Sequence, residues 1–176
     1  MTVATNPPLA PVSELPQRRH LLAAFAPALT KKQRIRRQAR RSLGYAGTMH
    51  YTMTAQRSEL FHRARGAFRG AHADCSQYSA ALCHWVGVGS VTDTDWTGTL
   101  AAKGRRIDKA TRGAFVFFGT PPYVHMGVLV RPLLSRSWHV IAFGHNSAPD
   151  ENTLPALVHY FTTKGHPGHE FRDLTR

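Results

Sequence analysis

A cysteine and a histidine fifty positions apart are the side chains of this chain best suited to chemistry. Cys75 follows an acid and precedes small and polar residues in the run Ala-Asp-Cys-Ser-Gln-Tyr, a pattern that predicts a helix N-terminus. His125 begins the run His-Met-Gly-Val, which predicts a strand. A helix N-terminus lowers the pKa of a thiol, and an imidazole can hold its proton. The pair therefore predicts nucleophilic thiol chemistry.

Such a pair works with a third polar group that orients the imidazole and with a donor for the oxyanion. A predicted strand at 139–143 ends directly before Gly-His-Asn. His145 is our candidate for the orienting group, followed by Asn146 and then by His139. We expect the hydroxyl of Tyr51 to lie near the oxyanion.

The elements that must position these groups follow from apolar periodicity. Asp74 is the expected cap of a helix from Cys75 to about Val86. Apolar runs at 114–118, 125–130 and 139–143 predict an antiparallel meander after this helix, and so an α+β fold. We also expect a short helix over 99–104, a further strand over 157–161 and an edge segment around Phe171.

The N-terminal part of the chain differs from the rest in composition. Proline-rich residues 1–29 predict a mobile tail and a short helix, and residues 30–176 predict one catalytic domain. That domain begins with a basic helix over about 30–43, capped by Thr30, with one narrow apolar stripe. This helix is either a plain surface element or an electrostatic anchor for nucleic acid or a wall polymer.

Composition restricts the possible partners. The net charge of +13 and the pI near 10.9 favour binding to polyanions. There is no apolar run near the roughly 18 residues of a membrane span. Two cysteines eight apart predict free thiols, which fits a reducing cytoplasm. The eleven histidines lack zinc-site spacing, so we expect no metal and no cofactor. Without zinc-finger or RNP-type motifs, sequence-specific nucleic-acid binding is not expected.

Five short motifs, in order, resemble the NlpC/P60 cell-wall peptidases, and most of all their phage-encoded branch in actinobacterial viruses. They are Tyr-Thr at 51–52, Ala-Asp-Cys-Ser at 73–76, Trp-Thr-Gly-Thr-Leu at 96–100, Gly-Ala-Phe-Val-Phe-Phe-Gly at 113–119 and His-Met-Gly-Val at 125–128. Gln77 stands where the family usually has glycine. The resemblance covers roughly residues 45–147 and implies a papain-like fold in which a Cys-bearing helix packs on an antiparallel sheet that carries the histidine.

The resemblance also implies roles. Cys75 would be the nucleophile, His125 the base and Tyr51 the tyrosine near the oxyanion, with His145 as the third residue and with Asp74, Ser76 and Trp96 contacting substrate. The expected activity is hydrolysis of an amide bond in the peptidoglycan stem peptide, as in a phage endolysin. Such a protein would reside in the host cytoplasm before lysis, or on the virion, and would act on the wall.

Two other functions remain open at the level of the sequence. One is an amidase or acyltransferase that uses the same fold and the same Cys–His pair. The other is a non-enzymatic basic protein that binds polyanions.

Overall fold

The computed structural model describes residues 27–131, 134, 136–144 and 146–176. The helices are α1 (Lys31–Ser42), α2 (Glu59–His62), α3 (Cys75–His84), α4 (Thr97–Lys103) and α5 (Leu154–Thr163), with 3-10 turns at Leu43–Thr48 and Ala55–Ser58. The strands are β1 (His50–Tyr51), β2 (His72–Ala73), β3 (Arg105–Ile107), β4 (Phe115–Phe118), β5 (His125–Val130), β6 (His139–Phe143), β7 (Pro149–Thr153) and β8 (His169–Asp173).

Six of the strands form one antiparallel sheet in the order β3-β8-β4-β5-β6-β7. Strands β4, β5 and β6 are the three predicted from apolar runs, and their meander is confirmed. The short strands β1 and β2 pair in parallel beside the start of α3. This pairing places Tyr51 beside Ala73, which lies two residues before Cys75 in the chain.

The sheet separates two apolar cores, because successive strand residues point to opposite faces. On one face, Met126, Val128 and Phe143 pack with the buried residues of α1 and α3. On the other face, Phe118 and Leu129 pack with Leu157 and Phe161 of α5. The result is the predicted α+β arrangement, in which the helix that carries Cys75 packs on an antiparallel sheet that carries His125.

Helix α1 begins where the sequence places it. The side chain of Thr30 accepts a hydrogen bond from the Gln33 amide, and the Gln33 side chain accepts one from the Thr30 amide, which is a capping box. Ile35 and Ala39 are the buried apolar positions of the helix, as the narrow stripe predicts. The helix ends at Ser42, one residue before the expected end. Residues 1–26, most of the expected tail and short helix, lie outside the described residues.

Two predictions for the C-terminal part are wrong. Residues 157–161 are helical, not extended, because Thr153 caps α5 through the Ala156 amide and Leu157 and Phe161 bury one helical face. The segment around Phe171 is strand β8, which is not an edge: it lies between β3 and β4. The strands β1, β2, β3 and β7 were not predicted.

None of the helices in the described part of the chain combines the length and the apolar character needed to cross a bilayer.

Gly113 lies where α1 packs against the start of β4, so a substitution at this glycine tests the packing. Gly113 has a φ of +78°, and a Cβ there would lie 2.4 Å from the backbone oxygen of Lys32 in α1. Gly87 has a similar φ of +82°, but a Cβ on Gly87 would have no neighbouring atom within 4 Å. We expect Gly87→Ala to lower the free energy of unfolding by about 1 kcal/mol, which is the cost of a left-handed alanine.

Gly113→Ala carries this cost and also displaces α1, so we expect about 1–3 kcal/mol of additional loss in urea denaturation. Equal losses for the two variants would show that α1 does not rest tightly on the start of β4.

Candidate active site

The buried carboxylate of Asp74 fixes the start of α3. Its Oδ1 accepts hydrogen bonds from the Gln77 amide and the Ser76 hydroxyl, both at 2.7 Å. Its Oδ2 lies 2.8 Å from Nη1 of Arg57, and only 3% of the Asp74 side chain is exposed. The predicted cap is therefore confirmed, and Cys75 is the first residue of the helix. Arg57 was not predicted as its partner.

The thiol of Cys75 lies where α3, α4 and β5 meet. Its sulfur is 3.9 Å from the Thr97 hydroxyl, and the backbone N–H groups of Ser76 and Met126 hydrogen-bond to it. These three donors favour the thiolate. Burial and, second, the charge of Asp74 outweigh them and raise the pKa of the Cys75 thiol to about 11. The expectation of a lowered thiol pKa is thus wrong.

Thr97 was not among the predicted site residues, although it lies in the Trp-Thr-Gly-Thr-Leu motif at 96–100. Its position is set by Asp95, which precedes α4 and is 3% exposed. The Asp95 carboxylate accepts hydrogen bonds from the Thr92 amide at 2.7 Å and the Thr99 hydroxyl at 2.9 Å, and it pairs with Lys103 at 2.6 Å. The carbonyl of Asp95 in turn accepts from the Gln77 side chain. In the sequence, the acid directly before Trp96 was the feature that could have predicted this anchor.

Tyr51 is close enough to Cys75 for the two groups to interact electrostatically, and its role near the oxyanion stays a prediction. Burial, and then the charges of Cys75 and Asp74, raise the pKa of Tyr51 to about 12, so its hydroxyl remains a donor at neutral pH. That hydroxyl donates to the sulfur of Met53, an exposed side chain. The Tyr51 ring packs so closely on the end of β6 that a Cβ on Gly144 would lie 2.2 Å from it. Tyr51 thus offers a neutral donor near the thiol.

His125 starts β5, next to the residue whose amide bonds the thiol. The residue is 6% exposed, and its ring lies 5.1 Å from the ring of Phe161, measured between centroids. In the strand register it stands opposite Phe118, which belongs to the core beneath α5. The ring therefore lies along the α5 face of the sheet, whereas Met126 points to α3. The pairing of His125 with Cys75 stays a prediction.

The three candidates for the third residue have different outcomes. His145 lies outside the described residues. The Asn146 side chain donates to Asp150. His139 pairs with Glu151 at 3.2 Å and lies opposite Val130, at the other end of β5 from His125. Of the two described candidates, only Asn146 follows the end of β6 that is close to the thiol.

The three expected substrate contacts fall into two groups. The side chains of Asp74 and Ser76 are buried and are bonded to each other and to protein groups. Trp96 is 44% exposed and lines a cleft of about 430 Å³ with Tyr123 and the Pro121-Pro122 turn. The indole rests on Gly98, where a Cβ would lie 2.4 Å from it. Trp96 and Gly98, the two neighbours of Thr97 in the sequence, line the cleft, and of the three expected contacts Trp96 is the one with an exposed surface.

Within the described ranges, no group of three or more His, Cys, Asp or Glu side chains is arranged to hold a metal ion. Both Cys75 and Cys83 are buried free thiols.

The pKa of Cys75 predicts its reactivity. We expect alkylation by iodoacetamide to be slow at pH 7 and to rise about tenfold per pH unit as the thiolate fraction rises. Thr97→Val removes one donor and should slow the reaction further, whereas Thr97→Ser keeps the hydroxyl. Mass spectrometry of the alkylated peptides gives the rate, with the fully buried Cys83 as internal control. A rapid rate that does not change from pH 6 upward would show a preformed thiolate.

A comparison with known proteins finds a structural similarity but no similarity in sequence. No family model matches the chain, and no curated protein matches it. The chain is similar to the crystal structure of the P60 domain of antigen MAP1204 from M. avium subspecies paratuberculosis, with a TM-score of 0.49 and 16% sequence identity. The similarity covers 84% of this chain and 99% of that one.

Proposed function

We propose that this protein is a cysteine hydrolase that cleaves an amide bond in the stem peptide of peptidoglycan. The observation that carries the proposal is the position of the Cys75 thiol: it is the first residue of α3, bonded by Thr97 and by the Met126 amide and adjacent to Tyr51. A structural core cysteine needs none of these polar neighbours. Cys83 lies in the same apolar core and is the contrasting case, because burial and the charges of Asp173 and Asp95 alone account for the raised pKa of its thiol.

The proposed reaction begins when the sulfur of Cys75 attacks the carbonyl carbon of the amide. The thiol proton passes to His125 as the S–C bond forms, and the Tyr51 hydroxyl and nearby backbone N–H groups stabilise the oxyanion. His125 then gives this proton to the leaving nitrogen as the C–N bond breaks. Water hydrolyses the thioester and restores the thiol.

The raised pKa of Cys75 bears on the order of these steps. A thiol with a pKa of about 11 is protonated at neutral pH, so its proton has to leave during the attack and not before it. A base next to the thiol is then essential. His125 is our choice because it is the first residue of β5, at the end of the strand where the Met126 amide bonds the sulfur.

The choice of substrate rests on the motif resemblance and on two surfaces. The cleft beside Trp96 can take the part of a substrate next to the scissile bond, and the basic surface can hold the enzyme on an anionic wall. We assign the protein to lysis of the host wall, with synthesis in the host cytoplasm or carriage on the virion. An amidase or acyltransferase would use the same site on a different bond.

A second function has one observation in its favour. The raised pKa of Cys75 also fits a protein that does not use its thiol and only binds polyanions through its basic surface. Digestion of the wall separates the two functions.

The first test is digestion of purified peptidoglycan followed by mass spectrometry of the products. We expect the wild type to release stem-peptide fragments with new amino groups. Cys75→Ala should abolish the release, and Cys83→Ala should retain most of it at a temperature where both variants are folded. Equal release by wild type and Cys75→Ala would eliminate the proposed mechanism, and release of acyl-transferred products would indicate the acyltransferase.

The second test concerns the base. Loss of general-base catalysis lowers turnover by about 10²–10⁴-fold, so we expect this loss in His125→Ala. His139→Ala is the matched control, because it removes a strand-terminal histidine paired with Glu151 at the other end of the sheet. Both variants are compared by wall digestion and by circular dichroism. If the two variants retain the same activity, His125 is not the base.

A further inference from the structure

Helix α1 carries seven lysine and arginine side chains and no acidic one, and it forms a strongly positive part of the described surface. A cleft of about 700 Å³ there is lined by Arg34, Arg37, Arg40, Arg41 and Arg65, together with Leu29 and Gln38. No acidic side chain lines it. The guanidinium groups therefore repel one another, and the cleft has a strong attraction for anions.

A second cleft of about 390 Å³ continues from the first and shares Arg37 and Arg40 with it. It adds three arginines, Arg36 from α1, Arg112 from the turn before β4, and Arg131 from the end of β5. Arginines from α1 and from three other segments, at Arg65, Arg112 and Arg131, thus line the two clefts, which we together call the arginine groove. If α1 only presented a solvated face, arginines from the three other segments would not be needed beside it.

Several of these donors have no acceptor in the described part of the protein. Buried Nε atoms of Arg34 and Arg131 lack a hydrogen-bond partner there. Arg131 is nevertheless held in place: its guanidinium lies 5.1 Å from the ring of Trp138 and donates to the carbonyl of Arg136. Among the described residues, none of the groove arginines forms an ion pair, although Lys32 on the same helix pairs with Asp173 at 2.8 Å.

The chemistry of the groove selects phosphate. Guanidinium groups form bidentate hydrogen bonds with phosphate oxygens, and a series of them along one groove fits a chain with regularly spaced anions. No aromatic residue lines either cleft, so there is no platform on which nucleic-acid bases could stack. Residues 1–26 carry only one acid, Glu14, against Arg18 and Arg19, so they do not complement the groove in charge.

We propose that the arginine groove binds a polyol-phosphate wall polymer, which is a phosphodiester chain without bases. This inference rests on the proposed function, because it assigns the groove the task of retaining the enzyme on a wall. It also predicts that retention and catalysis are separable, since the groove shares no residue with the site around Cys75.

The test measures binding and digestion on two wall preparations, one intact and one from which acid extraction has removed the phosphate polymer. Cys75→Ala is used for binding, so that the wall is not digested. The groove variant is Arg37→Gln with Arg40→Gln. The matched control is Arg105→Gln with Lys109→Gln, which removes the same charge from two exposed positions outside the groove.

We expect the groove variant to bind intact walls about tenfold more weakly, and the control to change binding less than about twofold. On extracted walls all variants should bind equally weakly, and digestion by the groove variant should match the wild type when the enzyme is in excess. Arg37→Lys with Arg40→Lys keeps the charge but loses the bidentate geometry, so intermediate binding is expected.

Three results would overturn the proposal. Equal weakening by the groove and control variants would show that diffuse charge is sufficient. Unchanged binding after extraction of the polymer would eliminate phosphate as the ligand. Tighter binding to double-stranded DNA than to purified polymer at 0.15 M salt would assign the groove to nucleic acid. None of these results depends on whether Cys75 is a nucleophile, which the digestion of extracted walls reports separately.

Discussion

The two oxygens of the Asp74 carboxylate hold together the segments that form the candidate site. One oxygen satisfies the Gln77 amide and the Ser76 hydroxyl at the start of α3, and the other pairs with Arg57. Arg57 also donates to the carbonyl of Thr94, which leads to Thr97. A helix cap alone contributes about 0.5–2 kcal/mol. This one also sets the distance between the thiol and the loop that approaches it.

The same carboxylate works against the thiolate. A helix start supplies the Ser76 amide, and the neighbouring segments add the Thr97 hydroxyl and the Met126 amide, all of which lower the pKa of Cys75. Burial and the Asp74 charge raise it by more. Burial, together with the charge of the cap that orders the site, therefore keeps the thiol protonated, and in the proposed mechanism a base has to take its proton. In the proposed mechanism the base therefore matters more than the helix dipole.

The sequence predicts those parts of the fold that depend on local pattern. Asp74 before Cys75 and the apolar runs of β4, β5 and β6 are strong local signals, and the structure has them within about one residue. The β-favouring residues Val158, Tyr160 and Phe161 suggested a strand, but the Thr153 cap and the four-residue spacing of buried side chains make α5. The partners Arg57 and Thr97 come from distant segments, which local patterns do not encode.

The relation between Cys75 and His125 illustrates a limit of a different kind. The fifty residues between Cys75 and His125 allow the start of β5 to lie beside the start of α3. The hydrogen bond from the Met126 amide to the sulfur of Cys75 shows that the two starts do lie side by side. Alternation along the strand then decides which face each side chain takes, and a shift of one residue would reverse it. Met126 takes the α3 face and His125 the face of Phe118 and Phe161. The proposed proton transfer from Cys75 to His125 therefore belongs at the start of β5, the part of the strand that lies beside the start of α3.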